Sequence, residues 1–195
     1  MRPARPISPL MYRLIFLACL GLCGPPAIAD EAAWAALRAP GAVAVMRHAL
    51  APGTGDPAGI DLSDCATQRN LDAAGRTQAR AIGAAFRARG VAFDRILTSA
   101  WCRCAETADL LGAGPVEVFP ALNSVFAGRS GLTAAQTAEV AALIAERDGE
   151  ALLLVTHHVN ISALTGRSTA SGEVLVLIDG ADGGFEIAGS IRVGP

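Results

Sequence analysis

The sequence has no lysine, only three histidines and few aromatic residues: one tyrosine, two tryptophans and six phenylalanines among 195 residues. All sixteen positive charges are therefore arginine, and no run of like charges occurs along the chain. Binding to nucleic acid or to an anionic membrane surface relies on such runs or patches, so we expect neither partner. An anion-binding site must instead come from a few arginines that the fold brings together.

The chain also lacks an apolar run long enough for a comfortable membrane span. Apolar residues 14–22 follow a segment with three arginines and precede Ala27-Ile28-Ala29. This order is typical of a cleavable secretory signal. We expect residues 1–29 to be a signal peptide and residues 30–195 to form a single catalytic domain with no membrane span. That domain would be periplasmic or secreted in a bacterium, with thirteen arginines, eighteen acidic residues and a net charge near −5.

Two features of the amino-terminal segment stay open. Translation can start at Met1 or at Met11, because a signal can be read from either position. A lipoprotein anchor on Cys19 or Cys23 is the less favoured interpretation, since the residues before each cysteine fit a lipobox poorly.

Three cysteines would remain after cleavage: Cys65, Cys102 and Cys104. In an oxidising compartment we expect one disulfide. Cys102 and Cys104 are too close in sequence to pair comfortably, so Cys65 is expected to pair with one of them. A metal site on Cys102 and Cys104 lacks a second ligand pair at suitable spacing, and we expect neither a metal nor another cofactor.

Apolar runs alternate with helical patterns along the chain. Strands are predicted at about 42–46, 94–98, 116–119 and 151–156, and helices at about 73–89, 102–111, 134–147 and 159–165. Strands at about 173–179 and 184–188 should form an edge hairpin. Asp72 is a predicted N-cap, and Thr133 with Gln136 reads as a capping box. This order predicts an α/β fold, a three-layer α/β/α sandwich with a largely parallel central sheet.

Charged and imidazole side chains follow three of the predicted strands. Arg47-His48 ends the first strand, Arg103 follows the second, and His157 ends the apolar run 151–156. Ligand sites in α/β sheets gather outside the carboxyl ends of strands. Arginine binds phosphate oxygens bidentately, and a neutral imidazole beside it can attack phosphorus. We therefore expect His48 to be a nucleophile, with Arg47, Arg103 and His157 holding the phosphoryl group.

These residues also match a known family. Arg47-His48, Ser99-x-x-x-Arg103-x-x-x-Thr107-Ala108 and Thr156-His157 resemble, in order, the core motifs of the histidine phosphatase superfamily. Arg69-Asn70-Leu71-x-x-x-Gly75-x-x-Gln78-Ala79 is similar to the segment that opens the first helix of that family. The resemblance spans about residues 42–179. It implies a phosphoglycerate mutase-like fold, a phosphohistidine on His48 and a mechanism that needs no metal.

The chain departs from the family pattern at the proton donor. The stretch Pro120-Ala121-Leu122 precedes a general-acid glutamate in many members, but no carboxylate follows it here, and His158 stands where another branch has an acid. A smaller departure is Ala49, where glycine is usual. The acid is therefore unassigned. Candidates are His158 and the loop residues Asp56, Asp61 and Asp64, with Asp61 and Asp64 ranked above Asp56.

Arg69, Asn123, Ser124 and His158 are further candidates for substrate binding, although each can equally be an ordinary loop or packing residue. The oligomeric state stays open.

Three functions fit the pattern. The leading hypothesis is an exported phosphatase that hydrolyses small phosphorylated substrates, with envelope sugar phosphates as the expected class by analogy with periplasmic relatives. The second is a pseudo-phosphatase that binds phosphorylated ligands without turnover, which the missing acid motivates. The third is metal binding through His157-His158 and the Cys102-x-Cys104 pair.

Overall fold

The computed structural model describes residues 28–126 and 133–194. The predicted signal peptide lies outside these residues apart from positions 28 and 29. Of the described helices, none is both long and apolar enough to cross a membrane.

Within the described residues, six strands form one sheet in the order β3-β2-β4-β1-β5-β6. Their bounds are β1 Val43–Arg47, β2 Arg95–Thr98, β3 Val116–Val118, β4 Leu152–Thr156, β5 Val174–Asp179 and β6 Phe185–Ile191. The first four strands run parallel, whereas β5 is antiparallel to both β1 and β6. The predicted central strand, the edge hairpin and the largely parallel sheet are confirmed.

Five helices in the described part of the chain cover the sheet: α1 Ile28–Leu37, α2 Ala73–Ala88, α3 Cys102–Leu111, α4 Thr133–Ala145 and α5 His158–Thr165. The last four agree with the predicted helices to within about two residues at each end. Helix α1 was not predicted from the sequence. It packs Trp34 and Leu37 into the core beside β6. Its alanine-rich sequence adjoins the signal-like segment and shows little helical periodicity, so neither end was recognisable.

Alternation along the central strands divides the core into two layers. Ala44 and Met46 of β1 pack on the side of α1, α2 and α3, whereas Val43 and Val45 pack on the side of α4 and α5. A strand that is buried on both faces must be apolar throughout, which explains the unbroken run in β4. The α/β/α sandwich is therefore confirmed.

Of the two helix-start signals predicted from the sequence, one is confirmed. The Asp72 carboxylate accepts a hydrogen bond of 2.7 Å from the Gly75 amide, as an N-cap should. Gly112 ends α3 in the left-handed region with φ 57°. The predicted capping box is wrong: Thr133 is the first residue of α4, and the Gln136 amide donates to the carbonyls of Pro120 and Asn123 instead.

A disulfide joins Cys65 to Cys102, with 5.7 Å between their Cα atoms. It ties the loop after β1 to the first turn of α3 and agrees with one of the two pairings expected from the sequence. Cys104 is a buried free thiol.

Helices α2 and α3 pack closely at Gly83, where a Cβ atom would overlap the carbonyl group of Leu111. We expect Gly83→Ala to lower the free energy of unfolding by about 1–3 kcal/mol, because the backbone of α3 must shift. Urea unfolding measures the loss. Ala84→Ser adds one atom on the exposed side of the same helix and should change stability by less than about 0.5 kcal/mol. Equal midpoints for Gly83→Ala and the parent protein would contradict the close packing.

Candidate active site

The register of β1 and β4 brings two histidines together. Arg47 pairs with Thr156 at the carboxyl ends of these parallel strands. His48 and His157 come next in each chain segment, and the His48 amide donates to the Thr156 carbonyl over 3.0 Å. The two imidazole rings stand edge to face with 5.6 Å between centroids. The sheet therefore fixes both rings at one edge before any ligand is present.

The hydrogen bond of His48 determines its tautomer. Nδ1 lies 2.7 Å from the Ala49 carbonyl oxygen, which can only accept, so Nδ1 carries the proton and Nε2 keeps its lone pair. The side chain is 2 % exposed. Burial, together with the positive charges of Arg103 and Arg47, lowers the pKa of His48 to about 3. The ring is therefore neutral at physiological pH, with an unprotonated nitrogen that can act as a nucleophile.

His157 is fixed as firmly as His48. Its Nδ1 lies 3.3 Å from Nη2 of Arg103, which can only donate, so Nε2 carries the proton and donates to the Ser99 hydroxyl over 2.9 Å. The Ser99 hydroxyl in turn donates to Asn123 over 3.3 Å. Burial and the charge of Arg103 hold the pKa of His157 well below its usual value. His157 is thus a neutral, pre-oriented polar group.

Three arginines converge on a cavity of about 220 Å³ beside the histidines. Arg103 is 3 % exposed, and Arg47 and Arg69 are partly buried. Burial and the neighbouring charge of Arg103 lower the pKa of Arg47 and that of Arg69. Among the described residues, the buried Nε atoms of Arg47 and Arg103 have no hydrogen-bond acceptor. Unpaired buried donors on adjacent cations are what an anion-binding site offers its ligand.

Asp56 occupies part of this arginine cluster. Its carboxylate oxygens lie 2.6 Å from Nη1 and 3.1 Å from Nη2 of Arg103, and one of them also accepts from the Trp101 indole over 3.1 Å. Burial alone would raise the pKa of Asp56, but the hydrogen bonds and charge of Arg103 outweigh it and lower that pKa. In the ligand-free protein the carboxylate is therefore ionised and neutralises one guanidinium.

Asp61 and Asp64, the acids ranked first from the sequence, lie outside the cavity. The Asp61 carboxylate accepts from the amide and hydroxyl of Ser63, and the Asp64 carboxylate accepts from the Ala66 amide over 2.9 Å. Both side chains shape turns of an exposed loop segment. The geometry does not support ranking them above Asp56. Their spacing to Ser63 and Ala66 is itself a sequence signal for turns.

The remaining candidates divide into two groups. Arg69, Ser124 and His158 line the cavity, whereas Asn123 does not and instead binds Ser99 and the Ala100 amide. His158 Nδ1 lies 3.3 Å from the Thr169 carbonyl. Asn123 is therefore a positioning residue for the segment that leads to α3.

Several residues that line the cavity were not predicted from the sequence. They are Gly53, Thr54, Gly55, Phe126 and Val159. Phe126 is 48 % exposed at the cavity. A short glycine-rich segment after the first Arg-His pair was the available signal for the first three, and Val159 follows the second histidine pair directly. Nothing in the sequence around Phe126 distinguishes it from other apolar loop residues.

The metal-binding hypothesis is wrong for the proposed ligand set. Cys102 is bonded to Cys65 and has no thiolate to offer. Burial raises the pKa of the Cys104 thiol to about 12, so this sulfur stays protonated. Within residues 28–126 and 133–194, no group of three or more histidine, cysteine or acidic side chains is arranged to hold a metal ion.

The model of the histidine phosphatase superfamily, branch 1, matches residues 44–142. The chain belongs to this superfamily. The match includes Arg47, His48 and Arg103, and the register of β1 and β4 adds His157 to the same site. No curated protein matches the chain.

Solved histidine phosphatase structures share the fold. The protein histidine phosphatase SixA with tungstate is 18 % identical with a TM-score of 0.58, covering 77 % of this chain and 96 % of its own. Phosphoserine phosphatase from Entamoeba histolytica with 3-phosphoglyceric acid is 13 % identical, with a TM-score of 0.60 and coverages of 78 % and 97 %. A mycobacterial glucosyl-3-phosphoglycerate phosphatase with VO3 is 17 % identical, with a TM-score of 0.58, and the match covers 80 % of this chain and 100 % of that chain. At these identities the likeness establishes the fold.

The protonation of His48 can be tested directly in this protein. Because its pKa is lowered to about 3, the ring should stay neutral as the pH falls through the ordinary histidine range near 6.5. NMR spectra of ¹⁵N-labelled imidazoles, assigned with His48→Asn, should show no His48 titration between pH 8 and about pH 5. A midpoint near 6 in the ligand-free protein would contradict the buried neutral state.

Proposed function

We propose that the protein is an exported phosphatase that hydrolyses phosphomonoesters through a phosphohistidine on His48. The observation that carries the proposal is the state of His48 Nε2, an unprotonated nitrogen held at a cavity with Arg47, Arg69 and Arg103. Membership of the superfamily supports phosphatase chemistry. The substrate, the export and the independence from metal belong to the proposal.

In the first step His48 Nε2 attacks phosphorus while the arginines hold the phosphoryl oxygens. The unpartnered Nε atoms of Arg47 and Arg103 supply two donors that need no rearrangement. Such donors are already in position when the reaction starts, so they stabilise the negative charge of the phosphoryl oxygens in the transition state. The Nδ1–H group of His48 stays hydrogen-bonded to the Ala49 carbonyl oxygen. This oxygen stabilises the positive charge that develops on the imidazole as Nε2 bonds to phosphorus.

In the second step water attacks the phosphohistidine and releases inorganic phosphate. The same arginines hold the phosphoryl group, and His157 lies beside them and orients Arg103 through Nδ1. His157 cannot replace His48 as nucleophile in the described arrangement, because its Nδ1 faces Arg103 and its Nε2 carries a proton bound to Ser99. The two histidines therefore have different roles.

The proposed substrate is a small monophosphate, with envelope sugar phosphates as the favoured class. A cavity of about 220 Å³ accommodates a phosphoryl group and a compact leaving group. Three arginines in one cluster suit a single phosphoryl group. The neighbouring structures include a protein histidine phosphatase, a phosphoserine phosphatase and a glucosyl-3-phosphoglycerate phosphatase, so the fold is compatible with several leaving groups.

Export is supported by the signal-like sequence of residues 1–29 and by the Cys65–Cys102 disulfide. Disulfides form and persist in oxidising compartments such as the bacterial periplasm.

His48→Ala should abolish turnover, because it removes the unprotonated nitrogen that attacks phosphorus. We expect a loss on the order of 10⁴-fold or more in kcat for an aryl phosphate, in the range seen when nucleophiles are removed. Acid-labile phosphate trapped on the parent protein should be absent from the variant. Arg80→Ala, on the exposed face of α2, serves as the control and should keep full activity.

Equal rates for the parent protein and His48→Ala would contradict the phosphohistidine mechanism. Phosphate binding by the parent protein without hydrolysis or trapped phosphohistidine would favour the pseudo-phosphatase instead.

The export proposal predicts a mature amino terminus at Asp30. Expression of the full chain in a bacterium, followed by fractionation and intact-mass analysis of the periplasmic protein, measures it. Replacing Ala27 and Ala29 with arginine should block cleavage, because signal peptidase requires small residues at these positions. A full-length cytoplasmic product from the parent gene would contradict export.

A further inference from the structure

We propose that Asp56 is a catalytic residue of this phosphatase: it leaves Arg103 when the phosphoryl group binds and donates the proton that the leaving group needs. The inference rests on the proposed phosphohistidine mechanism and completes it. The superfamily resemblance does not assign this role, since no carboxylate follows the stretch Pro120-Ala121-Leu122 and His158 occupies the other position at which it expects an acid.

The location of Asp56 separates it from the other described carboxylates. It is the only acidic residue among those that line the cavity within the described part of the chain. Glu106 is paired with Arg76, and Glu173 is paired with Arg192, both away from the cavity. A proton donor must reach the substrate oxygen directly or through one water molecule. Among the described residues, Asp56 is the carboxylate that lines the cavity and is therefore the one placed to protonate the substrate oxygen.

The contacts of Asp56 imply that it moves when substrate binds. Both Nη atoms of Arg103 are engaged by its carboxylate, and Nη2 also contacts His157. A phosphoryl group can meet the free Nε of Arg103 but can obtain the bidentate grip only by displacing the carboxylate. Two anions cannot share one guanidinium face without strong repulsion. Substrate and Asp56 therefore compete for the same donors.

Displacement also changes the protonation of Asp56. In the free protein the hydrogen bonds and charge of Arg103 keep the carboxyl ionised. Once those contacts pass to the phosphoryl group, burial and the new negative neighbour both favour the protonated form. A phosphomonoester can itself bring the proton, because its second ionisation lies near neutral pH. Binding thus converts Asp56 from a counter-ion into an acid.

The loop of Asp56 allows such a movement. Gly53 and Gly55 precede the aspartate with φ of 88° and 71°, a conformation that L residues rarely adopt. Arg69 holds this segment through hydrogen bonds from its guanidinium to the carbonyls of Gly55 and Ala51. A small backbone change at the glycines can therefore carry the carboxylate from Arg103 towards a bound ester while Arg69 retains the loop.

The complete cycle balances. In the first step a bond forms between His48 Nε2 and phosphorus, the ester P–O bond breaks, and the leaving oxygen takes the Asp56 proton with the bonding electron pair. In the second step a water oxygen attacks phosphorus and its proton passes to the Asp56 carboxylate. The N–P bond breaks, and its electron pair returns to Nε2. Asp56 is thus acid and then base.

Asp56→Asn tests the role because it keeps the shape of the side chain and removes the proton. For phenyl phosphate, a poor leaving group, kcat/KM should fall on the order of 10²–10⁴-fold. For 2,4-dinitrophenyl phosphate, whose leaving group needs no proton, it should fall less than about tenfold. Phosphohistidine should also accumulate on the variant with the activated ester, because the second step lacks its base.

Two controls make the result specific. Asp61→Asn, in the exposed part of the same loop, should leave both substrates unaffected. His158→Gln removes the other titratable side chain at the cavity whose role is unassigned. A leaving-group-selective loss in His158→Gln and not in Asp56→Asn would overturn the proposal.

An equal loss on both esters in Asp56→Asn would also overturn it, because a merely structural partner of Arg103 gives no dependence on the leaving group. Failure of the proposed function looks different: the parent protein would then form no phosphohistidine with either ester.

Discussion

The site depends on the parallel register between β1 and β4. Because Arg47 lies opposite Thr156, His48 and His157 emerge side by side from strands buried on both faces. A shift of one residue would turn every side chain of either strand to the opposite layer and separate the rings. The apolar residues on both sides of the sheet make such a shift costly, so the core itself holds the histidines in place. Packing thereby determines the position of the nucleophile.

The second constraint is electrostatic. Arg103 is nearly inaccessible to water, and a buried guanidinium without a partner costs several kcal/mol. Asp56 and His157 supply partners in the ligand-free protein, while Nε remains unsatisfied. The positive charge of this cluster lowers the pKa of both histidines in addition to burial. The cations that attract a phosphoryl group therefore add to the effect of burial in keeping the nucleophile unprotonated.

The sequence was sufficient to predict most of the strands and helices and the residues that directly follow the strands. Apolar runs located β1, β2 and β4, and the residues immediately after them identified Arg47, His48 and His157. The contacts of Asp56 to Arg103 were not predicted, because they span 47 residues along the chain and no local pattern encodes where a long loop folds back. Asp61 was ranked as a candidate acid, although its hydrogen-bond partner Ser63 lies only two residues away and is a turn signal in the sequence. Local bonds are readable from sequence, whereas loop-to-helix contacts are a consequence of tertiary structure.

Asp56 links the stability of the free protein to its chemistry. Its carboxylate is 15 % exposed, whereas Arg103 is 3 % exposed, so the ion pair has one partner fixed in α3 and one on an outer loop. Such a pair compensates the buried cation when no ligand is present. It can also break from the loop side without disturbing the helix or the sheet. The disulfide between Cys65 and Cys102 limits how far that loop can travel, because it anchors the later part of the loop to the start of α3. A carboxylate on an outer loop beside buried arginines is an arrangement suited to exchanging one anion for another.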